Sequence, residues 1–436
     1  MKTTIYALLT ARNVSFWQAL IGFYQKAASS DFIRKVMETF ATRIVQICLG
    51  LVTTVLVARI LKPEGRGLFA VATTLGAIGI QFGNLGLQAS NTYYVAKDRK
   101  ILPELFANAL IVSFVFGGLG STLTWLFFAF RPDLAPLHGL LLILALSFIP
   151  FGLATLLLKN LLIGIYKIRS YNTIEIATSG INVFMIVLLI IINSVSTESV
   201  FGTGLIALII GFAWTYWKLS TCIGKFHKPS IHLLKTNIGY GFKVYLTTLF
   251  AFMVSRIDLL MINYMLGETQ AGYYSVAVSL ANLLLVFPAV VHTISFPKLS
   301  SEVDPIKRWQ FTVKTACGIG AFMVVACLGG LFFGKYAIIL LFGKVFESAY
   351  VPFLIMSLGV LILSVEGIFR KYINTDPVKG YRNEIIYIWA GALPVNIGLN
   401  YILIPWMGIN GAATASSISL FLVCSFAFNF VIKNKY

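Results

Sequence analysis

Charge is scarce in this sequence. Only 11% of its 436 residues are charged, whereas a soluble domain of this size carries about 25%. Hydrophobic residues make up 58% of the chain and lie in long runs that few charges interrupt. A run of about 20 apolar residues crosses the hydrocarbon core of a bilayer as a helix. The composition therefore excludes an ordinary soluble protein and predicts an all-α integral membrane protein.

Cysteine and histidine are also rare. The five cysteines have neither metal-ligand nor redox spacing, and the four histidines do not cluster. Most of the cysteines fall in apolar runs, where the thiol packs as a small hydrophobic group. We therefore expect no metal site and no cofactor.

Acidic residues are fewer than basic ones, 16 against 34, so the formal net charge is +18. Such an excess of positive charge can indicate nucleic-acid binding. Here the basic residues lie in short clusters between apolar runs, and membrane topology explains that arrangement better. We expect no nucleic-acid partner.

Twelve apolar segments follow one another in two sets of six. The first set is 37–60, 68–96, 104–130, 138–166, 174–196 and 199–219, and the second is 239–264, 272–297, 312–333, 348–370, 383–405 and 411–432. Each is long enough to cross about 30 Å of hydrocarbon as a helix. They divide the chain into an N-terminal extension, 1–36, a first lobe, 37–220, a basic linker, 221–238, and a second lobe, 239–436. The extension is either a helix lying on the bilayer surface or a tail without fixed structure.

The turn after the first segment recurs in the second half. LKPEGRGLFAVATTL, residues 61–75, aligns without a gap with LGETQAGYYSVAVSL, residues 266–280, and five positions are identical. Adding the offset of 205 to each first-set start gives a second-set start to within about seven residues. Because each set has an even number of helices, both enter from the same side. The pattern predicts a parallel repeat about a pseudo-two-fold axis along the membrane normal.

Lysine and arginine are distributed unequally between the two predicted faces. The face that carries the N-terminus has 25 of them and the opposite face has six, while three fall inside helices. The six are Arg59, Lys62, Arg66, Arg131, Lys335 and Lys344. Cytoplasmic loops carry the excess of positive charge, so both termini are predicted to be cytoplasmic. We expect the turn that contains Arg59 and Arg66 to lie in water or among headgroups, because these charges are costly in hydrocarbon.

Charged residues inside the segments are the candidates for function. A charge at the bilayer centre costs roughly 2.5–3.5 kcal/mol, so it usually faces protein or water. The candidates are Arg43, Lys159, Arg256, Asp258 and Glu366. Arg256 and Asp258 are two positions apart, on nearly opposite faces of a regular helix, and are not expected to pair. For each candidate the alternative to a functional role is a structural ion pair. Glu366 lies four residues before Arg370, a spacing that suits an ordinary salt bridge. Lys159 is near enough to the membrane edge for its ammonium group to reach the interface.

Two further patterns suggest function less specifically. GGLFFGK, residues 329–335, matches most of a phosphate-binding loop, but Tyr336 stands where the motif needs Ser or Thr, so we expect no ATP site. Prolines at 150, 288 and 394 predict interruptions of the fourth, eighth and eleventh segments, as in transporters with broken helices. Asn396 and Asn400 follow the last of these prolines at helical spacing. They could line a cavity, or they could form hydrogen bonds between helices.

Four stretches resemble the polysaccharide flippases of the multidrug/oligosaccharidyl-lipid/polysaccharide exporter superfamily. They are ARILKPEGRGLFAVA, residues 58–72, MLGETQAGYYSVA, residues 265–277, SFPKLS, residues 295–300, and NYILIPWMGINGAATAS, residues 400–416. The similarity extends from about residue 31 to the end of the chain. The chain departs from the pattern at Lys62, where the family commonly has glycine, and in its longer N-terminus.

The resemblance implies a V-shaped transporter, not an enzyme, with two six-helix lobes around a central cavity. Such proteins move undecaprenyl-diphosphate-linked oligosaccharide from the inner to the outer leaflet of the inner membrane, for surface polysaccharides such as O-antigen or capsule. Arg43, Arg256 and Lys159 would then bind the lipid-linked diphosphate, since cationic side chains neutralise phosphate and guanidinium binds it bidentately. Asp258 and Glu366 would carry a proton or a sodium ion. A polysaccharide polymerase and chain-length proteins are possible partners.

Two alternatives remain open. A multidrug cation antiporter of the same superfamily would favour acidic residues in its cavity, whereas two of the three strongest candidates, Arg43, Arg256 and Asp258, are arginines. A membrane polysaccharide polymerase would carry a large outward loop with catalytic residues, but the longest predicted outward loop, residues 334–347, has about fourteen residues.

Overall fold

The structure is a computed structural model, and it describes residues 31–223, 227–302, 304–374 and 383–433. These residues form fifteen α-helices that are joined by short turns. The helices are α1 Asp31–Asn84, α2 Leu87–Lys97, α3 Leu102–Ile111, α4 Gly117–Phe130, α5 Gly139–Gly164, α6 Ile168–Ile191, α7 Thr197–Ser220, α8 Ile231–Val254, α9 Ile257–Leu266, α10 Glu268–Leu284, α11 Val286–Ser301, α12 Pro305–Phe342, α13 Tyr350–Asn374, α14 Asn383–Met407 and α15 Ile409–Lys433. The predicted surface helix of the N-terminal extension lies outside the described residues.

Eleven helical stretches of the described residues are long and apolar enough to cross a membrane. The first of them, Glu38–Asn84, has 47 residues and bends at Lys62, so it supplies two crossings. The other crossings that combine two helices are α3 with α4, α8 with α9, and α10 with α11. The all-α fold with twelve crossings is therefore confirmed.

The bend at Lys62 has the same backbone form as the turn 205 residues later. Lys62 has φ 57° and ψ −176°, and Gly267, which separates α9 from α10, has φ 86° and ψ 176°. Only glycine adopts this region readily. Pro63 then begins the second arm of α1, where the missing N–H of proline costs nothing. The predicted break is thus present, but it falls at Lys62, before Pro63 and Gly65.

The crossings alternate in direction and give the molecule two faces. We call the face with the connections at 97–102, 164–168, 220–231 and 301–305 the basic face. The opposite face, with the connections at 61–63, 130–139, 191–197, 266–268, 342–350 and 407–409, is called the turn face. Because α8 begins at Ile231, the connection between the lobes is shorter than the predicted linker 221–238.

The first lobe is built around α5. Its inward side carries fully buried leucines, among them Leu153, Leu157 and Leu161. The second arm of α1 crosses it closely at two glycines: a Cβ atom on Gly79 would lie 2.4 Å from Ile149, and one on Gly83 would lie 2.6 Å from Leu153. In a membrane, helices gain stability mainly from such close van der Waals packing.

The two lobes meet at the turn face through a contact that obeys the predicted repeat. A Cβ atom on Gly67 would lie 1.9 Å from the carbonyl oxygen of Glu268, and one on Gly272 would lie 1.9 Å from that of Pro63. The two contacts exchange when 205 is added to the residues of the first lobe. A pseudo-two-fold axis therefore passes between the second arm of α1 and α10.

A cation strengthens this contact on one side only. Arg66 is 7% exposed, and its guanidinium donates to the hydroxyls of Ser275 at 3.2 Å and Ser279 at 3.3 Å. The prediction that this part of the turn lies in water or headgroups is wrong for Arg66, because docking of α10 buries it. Ala271 holds the equivalent position in the second half, so the repeat has no second copy of this interaction. Arg59 also reaches the other lobe, where its Nε donates to the carbonyl of Leu341 at 2.7 Å.

A second contact between the lobes lies nearer the basic face. Gly86, with φ 81°, lies in the turn between α1 and α2, and its carbonyl oxygen lies 2.4 Å from where a Cβ on Gly241 would stand. The side-chain amide of Asn237 donates to Asn91 at 3.1 Å. The lobes are therefore joined by contacts between α1 and α10 at the turn face and between α2 and α8 nearer the basic face.

Candidate functional site

The seventh crossing is broken in its middle. Helix α8 ends at Val254, and α9 begins at Ile257 after a non-helical Arg256 with φ −133° and ψ −25°. Neither proline nor glycine stands at this point, so no helix-breaking residue predicts the break. The break changes the direction in which the following side chains point.

The predicted interruptions at proline are largely absent. Helix α5 runs through Pro150 and α14 runs through Pro394. Proline is tolerated inside membrane helices because neighbouring groups satisfy the backbone carbonyl that it leaves unpaired. Pro288 lies in the first turn of α11, just after the eighth crossing is interrupted at Leu285. Of the three predicted interruptions, only that near Pro288 is present.

The break opens onto a cavity of about 500 Å³ in the second lobe. Ligand sites in proteins commonly have volumes of 300–1,000 Å³. Most of the wall is apolar. Its polar and charged lining side chains include those of Arg256, Asp258, Asn282, His292, Arg370 and Ser416.

Asp258 lies at the junction of three helices and is 2% exposed. Its carboxylate accepts hydrogen bonds from the backbone N–H of Leu259 at 2.7 Å, from the hydroxyl of Ser416 at 3.0 Å and from the hydroxyl of Tyr274. Tyr274 is on α10 and Ser416 is on α15. These donors stabilise the charged carboxylate, and together with it the two hydroxyl oxygens could also contact a small cation.

Arg256 and Asp258 line the same cavity, contrary to the expectation that they face opposite sides. That expectation assumed a regular helix, and the break at Arg256 removes the assumption. The Arg256 guanidinium lies 5.7 Å from the ring centre of Phe252, a cation–π distance. Within the described residues no ion pair joins it to Asp258, so the expectation that the two do not pair agrees with the geometry.

Glu366 forms the predicted salt bridge with Arg370, Oε2 to Nε, at 3.5 Å. The pair is not at an exposed edge, because the Glu366 side chain is only 3% exposed. Arg370 lines the cavity that holds Asp258, whereas Glu366 lines a separate apolar cavity of about 300 Å³ beside Cys424 and Phe428. The two acids predicted to carry an ion therefore lie in different surroundings.

In the first lobe, Lys159 is held by an acid that the sequence did not single out. Its ammonium lies 2.7 Å from Oε1 of Glu175, and the side-chain amide of Gln46 donates to Oε2 of the same carboxylate at 2.8 Å. The Lys159 side chain is 13% exposed. Glu175 could have been found, because it also falls inside a predicted apolar segment.

Arg43 lies on α1, one turn before Gln46, and its side chain is exposed. Residues three apart share a helix face, so Arg43 stands beside the cluster of Gln46, Lys159 and Glu175. The five predicted residues thus divide into two groups. Arg43 and Lys159 are in the first lobe, while Arg256, Asp258 and Glu366 are in the second.

Asn396 and Asn400 do not line the large cavity. Both are fully buried. The amide of Asn396 donates to the hydroxyl of Ser419 on α15 at 3.2 Å, and that of Asn400 donates to the carbonyl of Asn396 at 3.0 Å. The first bond joins α14 to α15, so the predicted alternative of a hydrogen bond between helices holds for Asn396. The bond of Asn400 lies within α14.

Comparison with known proteins gives the chain its family. The family model described as "Polysaccharide biosynthesis protein" matches residues 32–302, which is more than half of the chain. The probable low-salt glycan biosynthesis flippase Agl15 of Haloferax volcanii is 24% identical over 251 residues, 57% of this chain and 51% of that protein. The alignment therefore spans about half the length of this relative.

Two solved structures share the fold. The lipid II flippase MurJ in an inward closed conformation has a TM-score of 0.72 and 16% identity, covering 92% of this chain and 88% of MurJ. An inward-facing multidrug resistance MATE family transporter of the MOP superfamily has a TM-score of 0.69 and 14% identity, covering 89% of this chain and 94% of that protein. At such identities the structures show the fold alone. The family model and this fold together confirm the resemblance seen in the sequence: the chain belongs to the polysaccharide biosynthesis protein family and has the fold of the multidrug/oligosaccharidyl-lipid/polysaccharide exporter superfamily.

Proposed function

We propose that this protein is a flippase that moves an undecaprenyl-diphosphate-linked oligosaccharide from the inner to the outer leaflet of the cytoplasmic membrane. It serves the synthesis of a surface polysaccharide, by alternating access coupled to a cation. The observation that carries the proposal is the cavity beside the broken seventh crossing, which presents an arginine and a buried aspartate to the same space. The names of Agl15 and MurJ, both flippases, support it.

The cavity offers a diphosphate hydrogen-bond donors and positive charge, which hydrocarbon lacks. A charged headgroup loses its hydration when it leaves the membrane surface, and that loss must be replaced by protein contacts. Arg256 can give two parallel hydrogen bonds to one phosphoryl group. Arg43 and Lys159 are proposed as contacts in the first lobe, although Glu175 already offsets the charge of Lys159. The lipid tail would stay in the bilayer.

Asp258 is proposed to carry the coupling proton or sodium ion. One charge moving down a potential of 100 mV supplies roughly 2.3 kcal/mol, which biases transport about forty-fold. Helix α10 connects this site with the contact between the lobes. Tyr274 binds Asp258, the next residue, Ser275, binds Arg66 of the first lobe, and Gly272 touches Pro63. A change in the charge of Asp258 would therefore act on the helix that closes the turn face.

The orientation proposed for the molecule follows from its basic residues. The basic face would be cytoplasmic, with both termini on that side of the inner membrane. The proposed lobes are 37–220 and 239–436, and a polysaccharide polymerase and chain-length proteins would act on the product. No enzymatic step is proposed for this chain.

A multidrug cation antiporter is the second candidate, since a MATE transporter shares the fold. Two arginines on the cavity wall, Arg256 and Arg370, repel a cationic drug and attract an anion, which favours the flippase. The polymerase has no support of this kind.

The test is the variant Arg256→Ala in a strain that depends on this protein for its surface polysaccharide. We expect loss of the polysaccharide while the protein remains in the membrane, because the headgroup loses a bidentate partner. Arg131→Ala is the control, since Arg131 is exposed and pairs with Asp133 in a turn. Normal polysaccharide in Arg256→Ala would remove Arg256 from the site, and drug resistance conferred by the wild type would favour the antiporter.

A further inference from the structure

We propose that Arg370 is a second diphosphate-binding residue of this cavity and that Glu366 is the positioning residue that holds it. The inference rests on the proposed function, and it assigns to Glu366 a task other than ion coupling.

The first observation is the place of Arg370. It lies on α13 near the basic face and lines the same cavity as Arg256, which stands at the break between α8 and α9. The two guanidinium groups thus approach one space from different helices. A diphosphate has two phosphoryl groups, and each can accept a bidentate contact from one guanidinium. Two arginines on separate helices suit that ligand better than one.

The second observation is the geometry of the ion pair. Glu366 approaches Nε of Arg370 at 3.5 Å, and among the described residues no hydrogen bond engages the two terminal nitrogens of Arg370. That edge of the guanidinium is therefore proposed to face the ligand. Two other ion pairs between helices are shorter, with Lys159 and Glu175 2.7 Å apart and Arg169 and Glu38 2.6 Å apart, whereas the exposed pair of Lys307 and Asp304 is longer, at 3.8 Å. The long contact fits an arginine that Glu366 orients but does not fully neutralise.

The third observation is the burial of Glu366. Its side chain is 3% exposed, and a buried carboxylate without a partner is strongly destabilising. Among the described residues, Arg370 is the ion-pair partner that compensates the Glu366 carboxylate. Glu366 lines the smaller cavity on one side and Arg370 lines the larger cavity that holds Asp258 on the other, so the pair crosses the wall between them and fixes where the guanidinium can reach.

Lys371, the next residue on α13, is engaged in another contact and is not proposed to bind the diphosphate. Lys371 donates to the backbone carbonyl of His292 at 2.6 Å, and the ring of His292 lies 3.0 Å from the carbonyl of Ser364. Lys371 therefore ties α13 to α11. Arg370 is the cation of this segment that lines the cavity.

The experiment measures binding of farnesyl diphosphate, a short isoprenyl diphosphate, to the full chain in lipid nanodiscs by calorimetry. We expect Arg370→Ala to weaken binding at least tenfold and Arg370→Lys to bind with intermediate affinity, because lysine keeps the charge but not the two-point contact. The affinity for farnesyl monophosphate should fall less in Arg370→Ala than the affinity for farnesyl diphosphate does, because the monophosphate has one phosphoryl group. Arg131→Ala should bind as the wild type does.

Glu366→Gln tests the positioning role. Because Glu366 acts through Arg370, its substitution should weaken binding about three- to tenfold alone and add nothing in the Arg370→Ala background. That double variant also avoids a buried unpaired carboxylate, so it can be purified if Arg370→Ala fails to fold. The inference is overturned if the double variant binds as well as the wild type, or if Glu366→Gln costs as much with Arg370 absent as with it present. If the wild-type protein does not bind the probe, the proposed function is overturned as well. If Arg256→Ala loses binding and Arg370→Ala binds as the wild type does, the inference about Arg370 is overturned and the proposed function stands.

Discussion

Replacing Gly272 with alanine is expected to force the lobes apart at the turn face. The new Cβ would stand 1.9 Å from the carbonyl oxygen of Pro63, and contacts below 3.0 Å essentially do not occur. The backbones must therefore separate by about 1 Å or more, because a carbonyl cannot rotate away as a side chain can. Overpacking of this kind costs typically 1–3 kcal/mol, which corresponds to a roughly 5- to 150-fold loss of the state closed at the turn face.

Spin labels at Glu64→Cys and Thr269→Cys can measure this separation. Both residues are exposed at the turn face and are related by the offset of 205. The five native cysteines are replaced first. Electron–electron distance measurements in nanodiscs should show a longer separation in Gly272→Ala than in the parent.

Two controls make the result decisive. Gly67→Ala should act in the same direction, because its Cβ would meet the carbonyl of Glu268 at 1.9 Å. Gly318→Ala on α12 should change nothing, since no atom lies within 4 Å of its added Cβ. An unchanged distance distribution in both interface variants, with thermal stability retained, would refute the view that this contact closes the turn face.

Three other substitutions have definite expected outcomes. Lys62→Gly should raise the melting temperature in detergent. It relieves a backbone strain of about 1–3 kcal/mol, which exceeds the roughly 0.5–1 kcal/mol entropic cost of glycine. Gly267→Ala, at the equivalent turn, should lower the melting temperature. Glu175→Ala should destabilise the protein by leaving the mostly buried Lys159 ammonium without its carboxylate partner, and adding Lys159→Met should restore much of the loss in the same melting assay. Asp258→Asn keeps one acceptor oxygen, and the hydroxyls of Tyr274 and Ser416 can turn to accept from the new amide group. The variant should therefore fold but transport at a rate that no longer responds to an imposed ion gradient in proteoliposomes; an undiminished response would exclude Asp258 as the coupling group.

The architecture was predictable because membrane crossing depends on local composition. Apolar runs of sufficient length gave the twelve crossings, and the 205-residue offset gave the repeat that the contact of Gly67 with Gly272 then confirms. The bend after the first crossing was also visible, within one residue of Pro63. The crossings follow from the apolar surroundings of the bilayer, and the bend follows from a helix-breaking residue. Each can be predicted from a single segment of the sequence.

The site was less predictable because it depends on contacts between distant segments. The break at Arg256 has no proline or glycine to announce it, and Asp258 beside it is held by Tyr274 and Ser416, which are remote in sequence. Arg66 is buried only because α10 docks over it. Lys159 could be predicted as a charge in a crossing, but its pairing with Glu175 required the packing of α5 against α6.

The contact of Gly67 and Gly272 also bears on how such a chain could arise. Two identical six-helix proteins placed around a two-fold axis would touch through the same surface on each partner. The backbone contact here keeps that form after fusion into one polypeptide. Arg66 against Ala271 and Asp258 against Thr53 are then positions at which the sequences of the two halves diverge at the lobe contact and beside the cavity. An ancestral half-length chain built on this plan would be expected to work as a homodimer.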